Sequence, residues 1–482
     1  MTRGAWKDDV HIFTYEGRRI LYQVPTGDFF EVDEAVHDAL CLAMEGRSRK
    51  DVITILSLNH GFEEGLQVVE ELEAHEILSF GRGVPSQDVV TTSGRGSRAP
   101  LDITLHISHG CNITCTYCFA QGGSYGGKAT MMDFETAQKA VDWVLDQSEE
   151  AGACQITLFG GEPLLNVDLI KQIVPYAKIQ AKERGIQITF GMTTNGTLLS
   201  GEALAFIMKE DIGVVVSLDG NAETHNRIRT FHDGSDTFDV IAENTRKAAA
   251  LRPNKVKVRA TMTANNLDID QIAEDISLYG TTTVVVAPTI EHPKSPTAIR
   301  MEHLPELKKH LKSLSQMELT KLLNGQNMTH AYFEDKIKQV LDPHKKEYGC
   351  GGGKTFYGIA ADGSIYFCSA FASNSEFKMG DVFTGLDPEK MKQFDHDFQV
   401  DNRQTCKTCW ARNLCGGGCV YDAHMSTGKA VEPNPVSCEQ IRYGYELAMG
   451  MALEIQENDS AVFDALCPAE TALGEVCDAP NA

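Results

Sequence analysis

The spacing of hydrophobic positions divides the chain into a short first part and a longer second part. In the first part, residues 1–80, three runs of alternating hydrophobic and polar residues precede three stretches in which hydrophobic residues recur every three or four positions. Alternation is typical of half-buried strands, and the longer period is typical of amphipathic helices. We therefore predict a small separate domain. Its predicted strands span residues 11–15, 19–24 and 28–32, and its predicted helices span 33–45, 49–58 and 63–77.

In residues 101–289, hydrophobic strand candidates alternate with amphipathic stretches six times. The predicted strands span residues 101–107, 155–159, 187–192, 213–218, 255–262 and 282–287, and the predicted helices span 133–147, 167–184, 201–209, 238–251 and 267–279. Alternating strands and helices indicate parallel strands with helices packed outside. Because a closed barrel of this kind has eight units, we predict an α/β fold with an open, partial (β/α)6 barrel.

The remaining segments differ in composition. Residues 81–100 are rich in Gly and Pro without periodicity, which is typical of a linker. Residues 290–345 are charged and are predicted to form a helical bridge. Residues 346–440 are rich in Gly and Cys, and we expect a small domain held together by metal. Residues 441–482 are predicted to hold a C-terminal helix and an acidic tail.

Composition restricts the possible functions and the compartment. The net charge of -23 argues against nucleic acid, whose phosphates attract basic surfaces. We also expect no membrane segment, because no apolar run is long enough to cross a bilayer. The first ten residues lack the apolar stretch of a secretion signal, so we expect a cytoplasmic protein. In a reducing compartment, 14 Cys indicate metal sites in preference to disulfides.

Three cysteines lie within eight residues, in a loop directly after the first strand of the alternating region. They are Cys111, Cys115 and Cys118. A structural zinc site or a closed iron–sulfur cubane uses four ligands. Three thiolates on a [4Fe–4S] cluster leave one iron open for a substrate or cofactor. The alternative is a zinc knuckle that takes Cys154 as its fourth ligand.

The C-x3-C-x2-C spacing, at the end of a barrel strand, resembles the signature of the radical S-adenosylmethionine (SAM) superfamily. The sequence Gly160-Gly161-Glu162-Pro163 after the second strand resembles the GGEP motif of the same family. The resemblance implies that SAM binds the open iron and yields a 5′-deoxyadenosyl radical. It also implies that Glu162 receives the amino group of SAM, while Gly160 and Gly161 let the backbone approach closely.

Further contacts to SAM are implied by the same resemblance. Asn195, after the third strand, and Ser217, at the end of the fourth, match loops that contact ribose and methionine. Arg229 matches a partner of the SAM carboxylate, and Tyr117 matches the position beside adenine. The alternative for Asn195 and Ser217 is helix capping or turn formation.

A proton acceptor is also needed for the thiol chemistry that the resemblance implies. Asp219 is the candidate catalytic residue, with His225 and Asp233 as alternatives. Each of the three is equally compatible with a capping or surface role.

A second group of cysteines follows residue 346. It comprises Cys350, Cys368, Cys406, Cys409, Cys415, Cys419 and Cys438. The spacing resembles the SPASM domain, which holds two auxiliary [4Fe–4S] clusters. The resemblance assigns a nearer site to Cys350, Cys368 and Cys419 and a distal site to Cys406, Cys409, Cys415 and Cys438. A zinc ribbon would need four of the seven and would leave three without a role.

Three [4Fe–4S] clusters, with one iron left open for SAM, need eleven thiolates in all. The first motif supplies three and the second supplies seven. The nearer auxiliary site is therefore one ligand short. Cys467 or Cys477 completes it, or the position is open for a substrate Cys.

The strand and helix order of residues 10–80 resembles the PqqD type of peptide-recognition domain, with an ordinary winged helix as the alternative. That resemblance implies a peptide or small protein partner whose leader segment is bound as an added strand. An external one-electron donor of the flavodoxin or ferredoxin type is the second expected partner.

The three parts in this order resemble radical SAM/SPASM enzymes that form thioether cross-links in peptides. Length and the acidic tail favour the branch that matures a quinohemoprotein amine dehydrogenase subunit, joining Cys sulfur to Asp or Glu methylene carbons. The alternatives are a sactipeptide- or SCIFF-type maturase that joins Cys to an α-carbon, and a formylglycine-forming sulfatase-maturing enzyme. A non-enzymatic Fe–S or Zn scaffold that binds peptide is the remaining alternative.

Overall fold

The computed structural model describes residues 6–80, 99–281 and 283–467 of the chain. The predicted linker lies almost wholly outside these residues, as does the acidic tail from residue 468, with Cys477.

Residues 10–74 form a three-stranded antiparallel sheet followed by three helices, in the predicted order. The strands are β1 (Val10–Tyr15), β2 (Arg18–Gln23) and β3 (Phe29–Val32), and the helices are α1 (Glu34–Met44), α2 (Arg49–His60) and α3 (Phe62–Ala74). The two-residue turn Glu16-Gly17, with both φ angles positive, matches the twist of the β1–β2 hairpin. Asp33 and Ser48 begin α1 and α2 by accepting hydrogen bonds from backbone N–H groups of the first turn.

The two faces of this small sheet belong to different cores. Val10, Leu21 and Val32 pack against the three helices. On the other face, Phe13 and Tyr22 join the main core of the molecule. The domain is therefore attached through one sheet face.

Residues 101–288 contain six parallel strands, each close to its predicted position. The strands and helices are β4 (Leu101–Ser108), β5 (Ile113–Cys115), α4 (Phe134–Ser148), β6 (Ala153–Gly160), α5 (Val167–Glu183), β7 (Gln187–Thr194), α6 (Gly201–Lys209), β8 (Gly213–Ser217), α7 (Ala222–Ile228), β9 (Arg229–Phe231), α8 (Phe238–Leu251), β10 (Val256–Met262), α9 (Ile269–Ser277) and β11 (Val284–Pro288). The parallel order is β11-β10-β8-β7-β6-β4, which confirms the partial barrel. Strand ends differ from the predictions by at most two residues.

Both faces of β4 are buried, as is usual for a parallel strand. Ile103 and Leu105 pair in register with Ile156 and Leu158 of β6. The carboxyl ends of parallel strands meet at one edge of a sheet. The loops that follow β4, β6, β7 and β8 therefore lie together and carry the candidate site residues.

The strands of the cysteine-rich part, which was predicted to be a small domain at residues 346–440, continue the sheet of the barrel. Its strands are β12 (Phe356–Ile359), β13 (Ser364–Tyr366), β14 (Lys378–Asp381) and β15 (Gly385–Leu386). Strand β12 pairs in parallel with β4, and the others continue antiparallel, which gives a ten-stranded sheet. The physical reason is that the open barrel leaves β4 with an unpaired edge, and β12 satisfies its hydrogen-bonding groups.

The remaining helices connect these parts. They are α10 (Leu304–Leu323), α11 (Ala331–Val340), α12 (Pro388–Asp397), α13 (Arg412–Cys415), α14 (Val420–Thr427), α15 (Pro435–Asn458) and α16 (Ser460–Leu466). The predicted boundary at residue 440 falls inside α15, because Asn434 caps that helix and Pro435 occupies its first turn. Helix α15 packs against α10, α11 and β1. Among the described residues, no helix has the length and apolar character needed to cross a membrane.

Candidate functional site

The loop with the first three cysteines is held by short-range pairing and by glycine contacts. Strand β5 pairs with β9, which places Cys115 directly opposite Arg229. On the other side, a Cβ at Gly161 would lie 2.2 Å from the carbonyl oxygen of Gly110, and one at Gly160 would lie 2.1 Å from that of Ser108. Glycine is thus required at both positions so that the end of β6 can pack against the cysteine loop.

Each of the three sulfur atoms has an N–H donor within reach. Asn195 Nδ2 lies 3.6 Å from Cys111 Sγ, Arg229 Nη1 lies 3.6 Å from Cys115 Sγ, and the backbone N–H of Gly122 lies 3.4 Å from Cys118 Sγ. Donors of this kind favour the thiolate form, which is the form that binds iron.

Burial has the opposite effect on these thiols. It raises the pKa of Cys111, and it raises the pKa of Cys115 to about 12 although Arg229 lowers it. A bound metal would have to displace these protons. Three neighbouring sulfurs with N–H donors, and no fourth cysteine among the described residues beside them, fit a SAM-binding [4Fe–4S] cluster.

A single zinc ion fits the site less well. Cys154 lies at the start of β6, whereas the cysteine loop packs at the other end of that strand, so Cys154 is not available as a fourth ligand. Within the part of the chain that the structure describes, no three His, Cys, Asp or Glu side chains are grouped to hold one metal ion. A cubane places irons and sulfides between its ligands, so its thiolates stand farther apart than those of one ion.

Glu162 is fully buried and joins the ends of two strands. Its carboxylate accepts hydrogen bonds from the N–H of Leu164 at 3.0 Å, the hydroxyl of Thr194 at 2.8 Å and the N–H of Asn195 at 2.7 Å. Burial raises the pKa of Glu162 to about 7, although these hydrogen bonds lower it. A carboxylate offers about four lone pairs, so room for one further donor, such as the SAM amino group, remains. The hydrogen bonds by which Glu162 joins the end of β6 to the end of β7 were not predicted from the sequence.

Asp219, Arg229 and Tyr117 form one buried unit behind Cys115. Asp219 Oδ2 accepts from Tyr117 Oη at 2.6 Å and from Arg229 Nε at 2.7 Å, and Oδ1 accepts from the N–H of Thr261 at 2.8 Å. The guanidinium of Arg229 also lies over the Tyr117 ring, 5.2 Å from its centroid. These contacts favour a positioning role for Asp219 over the predicted role as proton acceptor.

The two alternative proton acceptors are also committed elsewhere. Both ring nitrogens of His225 are hydrogen-bonded, to the N–H of Asp219 and to Thr237, and burial lowers the pKa of His225 to about 4. Asp233 is exposed and holds the turn at Ser235.

Asn195 directly follows the last residue of β7, and Ser217 is the last residue of β8. Asn195 spans the cysteine loop, because its side chain contacts Cys111, Asn112 and Thr197. Ser217 ends β8 and pairs in register with Arg259 of β10. Arg259 was not predicted from the sequence; it lies close enough to Tyr117, Arg229 and Asp219 to interact with them electrostatically, and the alternation of β10 puts it on the same strand face as Lys257.

The later cysteines fall into two groups with the predicted membership. Burial raises the pKa of Cys368, and Cys419 and Cys350 raise it further, so these three lie together. Burial also raises the pKa of Cys438 to about 12, and Cys415, Cys409 and Cys406 add to it. Cys350, Cys368 and Cys419 are therefore neighbours, and Cys406, Cys409, Cys415 and Cys438 are neighbours in a second group.

Of the two tail cysteines predicted to complete the group of three, only Cys467 is among the described residues. Cys467, at the end of α16, is disulfide-bonded. Cys477 lies outside the described residues. The other twelve cysteines are free.

Comparison with known proteins gives a consistent assignment for the barrel. Residues 105–292 match the radical SAM superfamily. The chain is 24% identical over 383 residues to the cysteine-type anaerobic sulfatase-maturating enzyme of Clostridium perfringens, covering 74% of this chain and 99% of the relative. It is 25% identical over 366 residues to the mycofactocin maturase MftC of Mycolicibacterium smegmatis, covering 74% of this chain and 87% of the relative.

Solved structures show the same fold. Native anSMEcpe with bound AdoMet and the Cp18Cys peptide has a TM-score of 0.62 at 23% identity, covering 75% of this chain and 99% of that one. Streptococcus suis SuiB bound to the precursor peptide SuiA has a TM-score of 0.50 at 16% identity, covering 90% of this chain and 99% of that one.

Proposed function

The chain contains a radical SAM domain and is homologous to peptide-modifying radical SAM enzymes, and from this premise we propose that it forms thioether cross-links in a ribosomally made peptide or small protein subunit. The proposed bond joins a Cys sulfur to the methylene carbon of Asp or Glu. The observation that carries the proposal is the pair of three-cysteine groups, Cys111, Cys115 and Cys118 on one side and Cys350, Cys368 and Cys419 on the other. Each would leave one iron position that no cysteine of the described residues is seen to fill.

The first group would hold a [4Fe–4S] cluster with SAM, which supplies a 5′-deoxyadenosyl radical for removal of a hydrogen atom from an unactivated carbon. The chain orients the site. Asn195 and Arg229 direct N–H groups to two of the sulfurs. Asp219 fixes the direction of Arg229 by a buried ion pair. Glu162 keeps one lone pair for the SAM amino group.

The chemistry balances without a further oxidant. Removal of a hydrogen atom leaves a carbon radical on the substrate, and its bond to the Cys sulfur releases the thiol proton and one electron. That electron equals the one consumed when SAM is cleaved. We propose that the first electron comes from a flavodoxin- or ferredoxin-type donor, that three clusters are present in all, and that the enzyme works in the reducing cytoplasm.

Residues 10–80 are the proposed leader-binding domain. About a quarter of the chain lies outside the match to the sulfatase-maturating enzyme, whereas the SuiB match covers 90% of it. Within the domain, β1 packs against α15 and stacks His11 on Trp410. Strand β3 is the sheet edge away from those contacts, and Phe30 on it is exposed. A peptide added beside β3 would complete that edge.

A second candidate function is formylglycine formation, which the match over 99% of a sulfatase-maturating enzyme favours. A sactipeptide-type link to an α-carbon is the nearer alternative within thioether chemistry. Formylglycine formation from Cys removes the substrate sulfur, whereas both thioether reactions retain it and remove two hydrogen atoms per link.

The test uses the reconstituted chain under anaerobic conditions, with SAM, dithionite and a candidate Cys- and Asp/Glu-rich peptide. We expect 5′-deoxyadenosine, loss of two hydrogens per link and loss of alkylatable thiols. The variant Cys115→Ala is the control and should form neither 5′-deoxyadenosine nor cross-linked peptide. Loss of sulfur from the peptide would replace the thioether proposal with formylglycine formation.

A further inference from the structure

Strand β10 has one face in the core and one face open to solvent. Helices α8 and α9 contact the strand, and its buried positions belong to the main core; they are Val256, Val258, Ala260 and Met262. The alternating positions, Lys257, Arg259 and Thr261, are open to solvent. Because the helices lie outside the barrel, this second set of side chains points into the barrel interior.

Arg259 lies at the level of the candidate SAM residues. It pairs in register with Ser217 of β8, and its carbonyl accepts a hydrogen bond from the N–H of Leu218 at 3.0 Å. Thr261, the next residue on the same strand face, donates its backbone N–H to Asp219 at 2.8 Å. Arg259 is therefore the interior neighbour of Ser217, one position below the residue that binds Asp219.

The guanidinium of Arg259 has no bonded partner within the part of the chain that the structure describes. It forms neither a hydrogen bond nor an ion pair there. Asp219 is the carboxylate that acts on it, but both oxygens of Asp219 are already bonded, to Tyr117, Arg229 and the N–H of Thr261. Burial within the barrel lowers the pKa of Arg259, and Arg229 lowers it further. A cation in such surroundings is stabilised by a bound anion.

The other charges of the barrel interior do not neutralise Arg259. In the described part of the six parallel strands, the interior-facing positions carry one carboxylate, Asp102, at the amino end of β4, where it pairs in register with Gln155. Lys257 is close enough to Asp335 of α11 to stabilise its carboxylate. Arg259 is thus the interior cation that lacks a carboxylate of its own.

We propose that Arg259 binds the side-chain carboxylate of the substrate Asp or Glu and thereby selects the acidic residue whose methylene carbon is attacked. This inference rests on the proposed function, because that function brings a substrate carboxylate into the barrel. SAM has a predicted carboxylate partner in Arg229, so Arg259 is a second cation for a second carboxylate.

The chemistry of the side chain suits this role. The planar guanidinium presents paired N–H groups that match both oxygens of a carboxylate, whereas an amide offers one oxygen and a competing NH₂ group. Two parallel hydrogen bonds fix the carboxylate, and with it the methylene carbon next to it. Arg259 would therefore both select an acidic side chain and orient the carbon–hydrogen bond that is broken.

The test compares two forms of one peptide on the reconstituted full chain and on Arg259→Gln. One form is the candidate Cys- and Asp/Glu-rich peptide, and the other has Asn and Gln in place of Asp and Glu. For the unchanged protein we expect kcat/KM of peptide modification to be about tenfold or more lower with the amide form. In Arg259→Gln the acidic form should lose the same factor, and the two forms should react within about twofold of each other. The affinity for SAM should be the same in both proteins.

Lys257→Gln is the matched control, because Lys257 shares the strand face of Arg259 but lies near Asp335; it should keep the preference for the acidic peptide. Arg259→Lys covers the case in which Arg259→Gln does not fold. It keeps the charge and loses the paired geometry, so it should keep only part of the preference.

Two results would overturn the inference while leaving the proposed function intact. One is an unchanged preference for the acidic peptide in Arg259→Gln and Arg259→Lys. The other is a loss of SAM affinity with an unchanged ratio between the two peptides, because Arg259 would then bind SAM. A product that lacks the Cys sulfur, or no modification of the acidic peptide by the unchanged protein, would instead remove the proposed function on which the inference rests.

Discussion

Behind the first cysteine site, a single buried ion pair controls the direction of a functional side chain. Arg229 can point one nitrogen at Cys115 because Asp219 holds its Nε, and Asp219 is itself fixed by Tyr117 and by the N–H of Thr261. All three side chains are buried. We therefore expect Asp219 to act by positioning Arg229.

Replacing Asp219 by Asn should therefore affect both stability and the cluster. It leaves the Arg229 guanidinium buried without its counter-ion, a loss of about 3–5 kcal/mol. We expect a lower melting temperature of the reconstituted protein and an altered EPR signal of the SAM-binding cluster. Asp233→Asn is the control, because Asp233 is exposed and holds only a local turn. Equal melting temperatures of the two variants would contradict the positioning role.

At the scale of elements, regular patterns along the sequence were predictable, whereas contacts between distant segments were not. The barrel strands were predictable because hydrophobic runs and helical periods alternate regularly between residues 101 and 288. The pairing of β12 with β4 was not, since periodicity shows that a strand exists but not which edge it joins. The cysteine groups could be predicted from spacing, whereas the buried tie through Glu162 depends on residues far apart in sequence.

The open edge of β3 allows a specific test of leader binding. The backbone N–H of Gln23 donates to the carbonyl of Asp28, so these two residues form a hydrogen-bonded pair of the β2–β3 ladder. Hydrogen-bonded and non-hydrogen-bonded pairs alternate along an antiparallel ladder, so the N–H of Glu31, three residues further on, points away from β2. Glu31→Pro removes that donor without breaking a bond to β2. We expect at least tenfold weaker binding of the peptide, measured by fluorescence anisotropy.

Glu31→Ala is the matched control for this experiment, because it loses the same side chain and its ion pair with Arg18 but keeps the N–H. It should bind as the unchanged protein does. Equal affinities of the Pro and Ala variants would show that the peptide does not add to this edge.

At the scale of the whole molecule, one sheet and one core join the parts that the reaction needs. The ten-stranded sheet links the barrel to the cysteine-rich segment through β4 and β12. The main core also includes one face of the small N-terminal sheet. The cysteine groups and the proposed leader-binding domain are therefore held by continuous packing, which suits the proposed reaction, because that reaction must bring a substrate thiol and a substrate carbon to fixed places.

The most direct test of the central claim is deuterium transfer from the peptide to 5′-deoxyadenosine, followed by mass spectrometry. The peptide is prepared with deuterium on the side-chain methylenes of Asp and Glu, and separately on the α-carbons. The account predicts deuterium in 5′-deoxyadenosine from the methylene-labelled peptide alone. Transfer from the α-carbon alone would replace the proposed bond with a sactipeptide-type link, and cross-linking without transfer from either position would contradict the account.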